Sequence, residues 1–282
     1  MDSSPAGRLS QTAGCLGPGL PAGRLTIVDD RTDSLWITPD WPAPANIRAC
    51  ITTRVGGVSL PPYASNNLGD HVGDNPEHVA LNRMQLCRRL GLVRSPQWLT
   101  QIHGVNLVQA KGDGLVRTAD GSYSNQPGQS CLVMTADCLP ILLCDRAGTQ
   151  VAALHGGWRS LAKGICARAI PKFKAAPEQI LAYLGPAISQ AHFEVGIDVL
   201  EAFFKAVRSH DHRDQIAAAF IPGERPMHFY ADIYALARAE LLSLGVTEIY
   251  GGHYCTYADS ERFYSYRRDK TTGRMASLIW LE

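Results

Sequence analysis

Net charge is almost absent from this chain: 27 Lys and Arg stand against 26 Asp and Glu, a balance of +1. Nucleic acids and anionic membrane surfaces select concentrated positive charge, so neither is expected as a partner. Apolar runs long enough to cross a bilayer are missing too. The eight cysteines include no CxxC pair, and several lie inside apolar runs, where a free thiol behaves as a small hydrophobe. The amino terminus has no apolar segment flanked by lysine or arginine. A cytoplasmic location with reduced thiols is therefore expected, rather than a disulfide framework. Signature loops of several enzyme classes are also lacking. There is no G-x-S-x-G nucleophile elbow and no glycine-rich phosphate loop of the P-loop or dinucleotide type. His192-Phe193-Glu194 supplies the H-x-E half of the zinc deaminase signature, but no P-C-x-x-C follows.

What is present is a chain of 282 residues, 45% hydrophobic and 19% charged, which is ordinary for a globular protein and long enough for a sizeable core. Residues 1–24 are rich in breakers and poor in aromatics, and read as a disordered or loosely packed extension. Residues 25–282 then form the domain. Ile47–Thr53 predicts a strand. Pro76 opens a helix running to Gly91, with apolar positions at Val79, Met84, Leu86 and Leu90. Strands are predicted at Trp98–Ile102, Asn106–Ala110, Cys131–Thr135, Pro140–Cys144 and Val151–Leu154. The continuous apolar character of the last three fits strands covered on both faces. Trp158–Lys174 reads as a helix that Pro171 ends or kinks. A strand at Ile180–Leu184 and helices at Val195–Ala206 and Ile233–Leu244 follow. Closing strands are predicted at Glu248–Tyr250, Phe263–Tyr266 and Met275–Leu281. With no repeat and no strict βαβ rhythm, the pattern predicts one mixed α/β domain with helices layered on sheet.

Three segments carry chemistry: Gln101-Ile102-His103-Gly104, Thr135-Ala136-Asp137-Cys138 and His155-Gly156-Gly157-Trp158-Arg159. Each offers one soft or borderline metal ligand where an apolar run meets a turn. Two imidazoles and a thiolate suit zinc or copper and leave a fourth position open. Taken singly, each has a plainer reading: a histidine bonded to backbone, a buried inert cysteine, a tight turn beside a surface arginine. The spacing matches no local zinc-finger pattern, so these ligands must converge through the fold. Asp137 either orients an imidazole or forms a turn. Near the carboxyl end, Arg267, Arg268 and Arg274 either bind an anionic group or form surface salt bridges, the second being the commoner role.

Together these segments resemble the YfiH-like family, also called the multicopper polyphenol oxidase or laccase-domain family. The resemblance runs from about Trp41 to Trp280. Besides the three segments above, its landmarks are Thr52-Thr53-Arg54-Val55-Gly56-Gly57-Val58-Ser59, Asn67-Leu68-Gly69, Leu184-Gly185-Pro186-Ala187-Ile188 and Ser265-Tyr266-Arg267-Arg268-Asp269. It implies an α/β fold, a single-domain four-layer α/β/β/α sandwich with mixed sheets, as the catalytic domain over residues 25–282. It also implies that His103, Cys138 and His155 hold zinc and serve catalysis. The implied partners are purine nucleosides and phosphate, in phosphorolysis of adenosine, inosine, guanosine and methylthioadenosine, with deamination of adenosine besides. Peptidoglycan editing has also been attached to bacterial members. Gly156 and Ser160 depart from the alanine and glycine usual there, and Ser189 stands where glycine is common.

Within that reading Arg54, Asn67, His71 and Arg159 are the substrate-binding candidates. Arg54 or Arg159 would steer phosphate, and His71 would protonate the leaving purine. Rival readings use the same residues. Cys138 as thiolate and His155 as base would suit an amidase acting on a peptidoglycan precursor. Copper in place of zinc would suit phenol oxidation. A multicopper cluster needs several His-x-His pairs, however, and His210-Asp211-His212, read as solvated surface, is the one present. A non-enzymatic binding role completes the set, and the oligomeric state stays open.

Overall fold

The computed structural model describes residues 35–282; the extension expected at residues 1–24 lies outside them. The first elements are β1 (Trp36–Ile37), β2 (Ile47–Thr52), helix α1 (Pro76–Arg89), β3 (Leu99–Thr100), β4 (Leu107–Gln109), β5 (Arg117–Thr118) and β6 (Gly121–Ser124). The central segment holds β7 (Cys131–Thr135), β8 (Leu139–Asp145), β9 (Val151–Gly156), α2 (Trp158–Ala162), α3 (Ile165–Ala169) and β10 (Ile180–Leu184). The remainder is β11 (Glu194–Gly196), α4 (Ile197–Phe204), α5 (His210–Ala218), β12 (Phe220–Pro222), β13 (His228–Ala231), α6 (Ile233–Ser243), β14 (Glu248–Gly251), α7 (Tyr266–Asp269) and β15 (Met275–Leu281).

Every residue of β7, β8, β9, β10 and β15 is buried. Strands that bury both faces need a cover on each side, and the chain meets this with two stacked sheets. One is antiparallel in the order β1-β2-β15-β7; the other is mixed, in the order β14-β10-β8-β9-β6-β4. Successive side chains of a strand point to opposite faces. Cys131 and Val133 accordingly enter the core between the sheets, with Leu142, Val151, Ala153 and Leu181, while Leu132 and Met134 pack outward among Leu86, Leu278 and Trp280. From β8, Leu142 joins the inter-sheet core, whereas Ile141 and Leu143 face Leu161, Ile165, Leu236 and Leu241 of the helices. The layers are therefore α1, the antiparallel sheet, the mixed sheet, and α2–α6. The α/β/β/α expectation holds. Truncating a leucine at such a position costs about 2–5 kcal/mol.

Helix α1 begins at Pro76 behind an Asn75 cap that accepts from Glu77 N, and ends with Arg88 and Arg89 against its negative pole. Its buried face is Val79, Asn82, Leu86 and Cys87, while Met84, expected inside, is exposed. Asn82 takes the inward place because its amide is satisfied: it accepts from Val58 N and donates to Ser59 Oγ and the Asn67 carbonyl.

Other expectations need correction. The helix expected over Trp158–Lys174 is two short ones, broken at Gly164, whose φ of +82° suits glycine. Phe263–Tyr266 is not a strand: Phe263 and Tyr264 lie in a buried loop packed against Ala136 and Met275, and Ser265 caps α7 by accepting from Arg268 N. His210-Asp211-His212 opens α5 behind a Ser209 cap, and His212 is buried rather than solvated. The described cysteines are free thiols, as expected, and no described helix is long and apolar enough to cross a membrane.

Candidate metal centre

Strand pairing brings the three ligand segments together. In the β8–β9 ladder Pro140 lies opposite His155 and Leu139 opposite Gly156, so Cys138, one residue before β8, meets the carboxyl end of β9. His155 lies inside β9 rather than just after it. β6 pairs with the other edge of β9, with Gly121 opposite Leu154, and this puts Asp120 beside His155. The third segment is tied down by Gln101, whose amide donates to the Met134 carbonyl and accepts from Met134 N. The strand expected over Trp98–Ile102 stops at Thr100, because residues 102–104 wrap around Asp120 instead.

Asp120 is fully buried and organises the centre. Its Oδ1 accepts from His103 N at 2.8 Å and pairs with His155 Nδ1 at 2.9 Å. Its Oδ2 accepts from Gly104 N at 2.6 Å and Ile102 N at 3.3 Å. Gathering three consecutive amides holds His103 at φ +58°, a left-handed conformation rare outside glycine. Burial raises the Asp120 pKa, but the His155 bond and the amides outweigh it, and the net shift is below the ordinary carboxylate range. Asp120 does the orienting that sequence reasoning offered to Asp137. Asp137 instead accepts from Thr256 Oγ1 at 2.6 Å and Arg267 N at 2.7 Å, fastening the carboxyl-terminal loop.

With Nδ1 of His155 held by a carboxylate, Nε2 is the nitrogen presented to the cluster, the usual arrangement behind a metal-ligating imidazole. Cys138 Sγ lies 3.8 Å from His103 Nε2, and the ligand atoms of His103, Cys138 and His155 all lie within 4.8 Å of one another. An ion bonded at roughly 2.0 Å to nitrogen and 2.3 Å to sulfur spans such separations. Gly157 leaves the space open: a Cβ there would sit 3.0 Å from the His103 ring and 3.2 Å from Cys138 Sγ. The donor set therefore fits zinc. The thiol proton fits as well. Burial disfavours the Cys138 thiolate, but the His155 and His103 imidazoles prevail and bring the thiol down to about 6. Burial likewise opposes charge on His155, yet the Cys138 sulfur and Asp120 raise it.

Two cavities meet at this cluster and share His103, Ala136, Cys138 and Tyr266. One, of about 230 Å³, is walled by Trp158, Ile188, Phe193 and Ile233, with Arg159 and Arg267 beside them. The other, of about 440 Å³, adds His71, Gln101, His155 and Arg274. Of the expected substrate contacts, Arg159 and His71 reach the cavities. Arg54 and Asn67 do not. The Arg54 guanidinium donates to the carbonyls of Ala64 and Ser260 and lies 4.8 Å over the Tyr264 ring. Asn67 is buried and binds Gly69, Asp74 and Arg274 N. Both clasp loop groups, and neither lines these two cavities. Arg268 meets the salt-bridge expectation with Asp269 at 2.8 Å. Arg267 and Arg274 line the cavities instead. Asp120 and Tyr266 are the site residues that sequence reasoning passed over.

Fold and centre define a class: a four-layer α/β/β/α protein with two imidazoles and one thiol converging between two cavities. Comparison with known proteins narrows it. The family described as "Multi-copper polyphenol oxidoreductase laccase" matches residues 48–282. The purine nucleoside phosphorylase YfiH of Escherichia coli is 53% identical over 247 residues, covering 87% of this chain and 98% of that one. A purine nucleoside phosphorylase of Pseudomonas aeruginosa is 50% identical, with 88% and 98% covered. The crystal structure of a Neisseria meningitidis protein superposes with a TM-score of 0.82 at 49% identity, over 88% of this chain and 99% of that one. The chain belongs to the YfiH-like, laccase-domain family.

Proposed function

We propose that the chain is a zinc-dependent purine nucleoside phosphorylase of the cytoplasm, with residues 25–282 as its catalytic domain. Adenosine, inosine, guanosine and methylthioadenosine are its substrates, and it also deaminates adenosine. The observation that carries this reading is the meeting of His103, Cys138 and His155 at one point between two cavities, with Asp120 holding one imidazole by its far nitrogen. The names borne by the Escherichia coli and Pseudomonas aeruginosa relatives support the substrate class.

His103, Cys138 and His155 would hold zinc, which when bound supplies a fixed positive charge and Lewis acidity beside the reacting atoms. Asp120 keeps the His155 proton on Nδ1, so that Nε2 remains a donor of electrons. Trp158 and Phe193, which line the smaller cavity, supply aromatic walls for a purine. His71 stands at the rim of the second cavity, 3.5 Å from Asp70, as a candidate substrate contact. Phosphorolysis uses phosphate as nucleophile at the ribose C1′; deamination uses water at the purine C6. Purified protein given adenosine or inosine with phosphate should release sugar phosphate and base, in proportion to bound zinc. Without phosphate, adenosine should still yield inosine. Zinc-loaded protein that does neither sinks the proposal.

The Cys138–His155 pair favours one second reading. A thiol lowered to about 6 beside a raised imidazole is also a nucleophile with its base, as an amidase acting on peptidoglycan precursors requires. That reading demands activity that survives chelators and is lost on stoichiometric alkylation of Cys138.

A further inference from the structure

The two cavities share a wall but differ in chemistry. The smaller presents Trp158, Ile188, Phe193 and Ile233. The larger contains Arg274. Its Nη1 donates to the carbonyls of Thr272 and Gly273. Its Nε and Nη2 donate to no protein acceptor, and no carboxylate pairs with it among the described residues. By contrast Arg83 has Asp70 at 3.3 Å, and Arg208 has both oxygens of Glu240. A guanidinium keeps its charge at any working pH. Arg274 lies half-buried over the Tyr266 ring at 6.0 Å, and the Nε–Nη2 edge it leaves free is the fork that takes an anion bidentately.

We propose that the larger cavity is the phosphate subsite, with Arg274 as its binding residue, and that the purine occupies the smaller cavity across the shared wall. This deepens the phosphorylase reading and rests on it. Phosphorolysis forms a bond from a phosphate oxygen to ribose C1′ as the C1′–N9 bond breaks. The electron pair of that bond leaves with the purine, which ends with the proton that hydrogen phosphate gives up. In a single displacement, nucleophile and leaving group occupy opposite faces of the sugar ring. Two cavities that share His103, Ala136, Cys138 and Tyr266 would seat phosphate and purine to either side of one reacting carbon. None of the other arginines near the site fits the phosphate role: Arg267 donates to the Glu194 carbonyl and lies 5.5 Å over the Phe193 ring, in the smaller cavity. Arg54 is committed to the carbonyls of Ala64 and Ser260. Arg159 lies on the apolar side, 4.2 Å over the Trp158 ring.

The test is kinetic and spectroscopic, on the full chain with its metal. With inosine and varied inorganic phosphate, Arg274→Met should raise the phosphate KM about tenfold or more and leave the inosine KM within about twofold; Arg274→Lys, charged but without the fork, should fall between. An unchanged phosphate KM in Arg274→Met, or equal rises in both KM values, overturns the assignment. A second arm needs no turnover. Inorganic phosphate alone should show 31P line broadening with the wild-type protein. The broadening should weaken with Arg274→Lys and vanish with Arg274→Met, at unchanged unfolding midpoint. If Arg274→Met does not fold, Arg274→Lys decides by the same two readouts. Failure of the wild type to broaden the line removes the subsite. Broadening that depends on Arg274, without release of sugar phosphate, upholds the subsite and sinks the phosphorylase reading.

Discussion

His103, Cys138, His155 and Asp120 form one cluster, at the meeting of two cavities. Cys166, His212, Glu240 and Arg208 form another, within the helical layer. Each has a thiol, an imidazole and a carboxylate, but the partners differ. In the first, the carboxylate takes the far nitrogen of an imidazole, and the near nitrogens face sulfur. The thiol falls and His155 rises. In the second, both Glu240 oxygens go to Arg208, and His212 is left with a backbone bond from Arg208 N and a 3.9 Å approach to Glu240. Burial, reinforced by Glu240, pushes the Cys166 thiol up, and burial lowers His212. Composition alone therefore does not make a reactive centre. An arginine that neutralises the carboxylate turns the same ingredients into a structural brace.

The largest effect that could break this comparison is loss of a ligand. Cys138→Ala should remove bound metal and lower turnover by on the order of a thousandfold or more, whereas Cys166→Ala should keep both. Elemental analysis and nucleoside turnover decide it, and an active, metal-free Cys138→Ala protein would refute the centre. Exchanging the carboxylates tests the next level. Asp120→Asn should weaken zinc affinity about 10–100-fold, read by competition with a chelator. Glu240→Ala should leave affinity unchanged and cost about 2 kcal/mol of stability, since the Arg208 it strands is still partly solvated. The smallest effect is in alkylation of the chelated protein. A lowered thiol is thiolate above its pKa, so labelling of Cys138 should rise about tenfold from pH 5 to pH 7 and then level off, while Cys166 stays inert across that range. Equal labelling of the two thiols would erase the distinction.

Much of this was legible from the chain because the ligands sit beside strong patterns. Cys138 and His155 flank apolar runs that could only be buried strands, and Gly156-Gly157 marks the turn into a helix. Asp120 was not legible. It lies in Thr118-Ala119-Asp120-Gly121-Ser122, a small, polar stretch with no periodicity, and its importance comes from a β6–β9 pairing that connects distant segments. Strands β12 and β13 escaped for a related reason: they are short and interrupted by Pro222 and Gly223. His212 misled because its neighbours are charged, while the face it occupies is set by α6 packing across it. Arg54 shows that a landmark segment also marks a position the fold uses, here to clasp two loop carbonyls.

The grip of Asp120 has one more consequence. A single carboxylate serves the amides of residues 102, 103 and 104 and the ring of His155. The two imidazoles are therefore referenced to one rigid group rather than to two separately packed loops. Retuning the bite of this centre for a larger or smaller ion cannot proceed one histidine at a time, because any change that relocates Asp120 carries both rings with it.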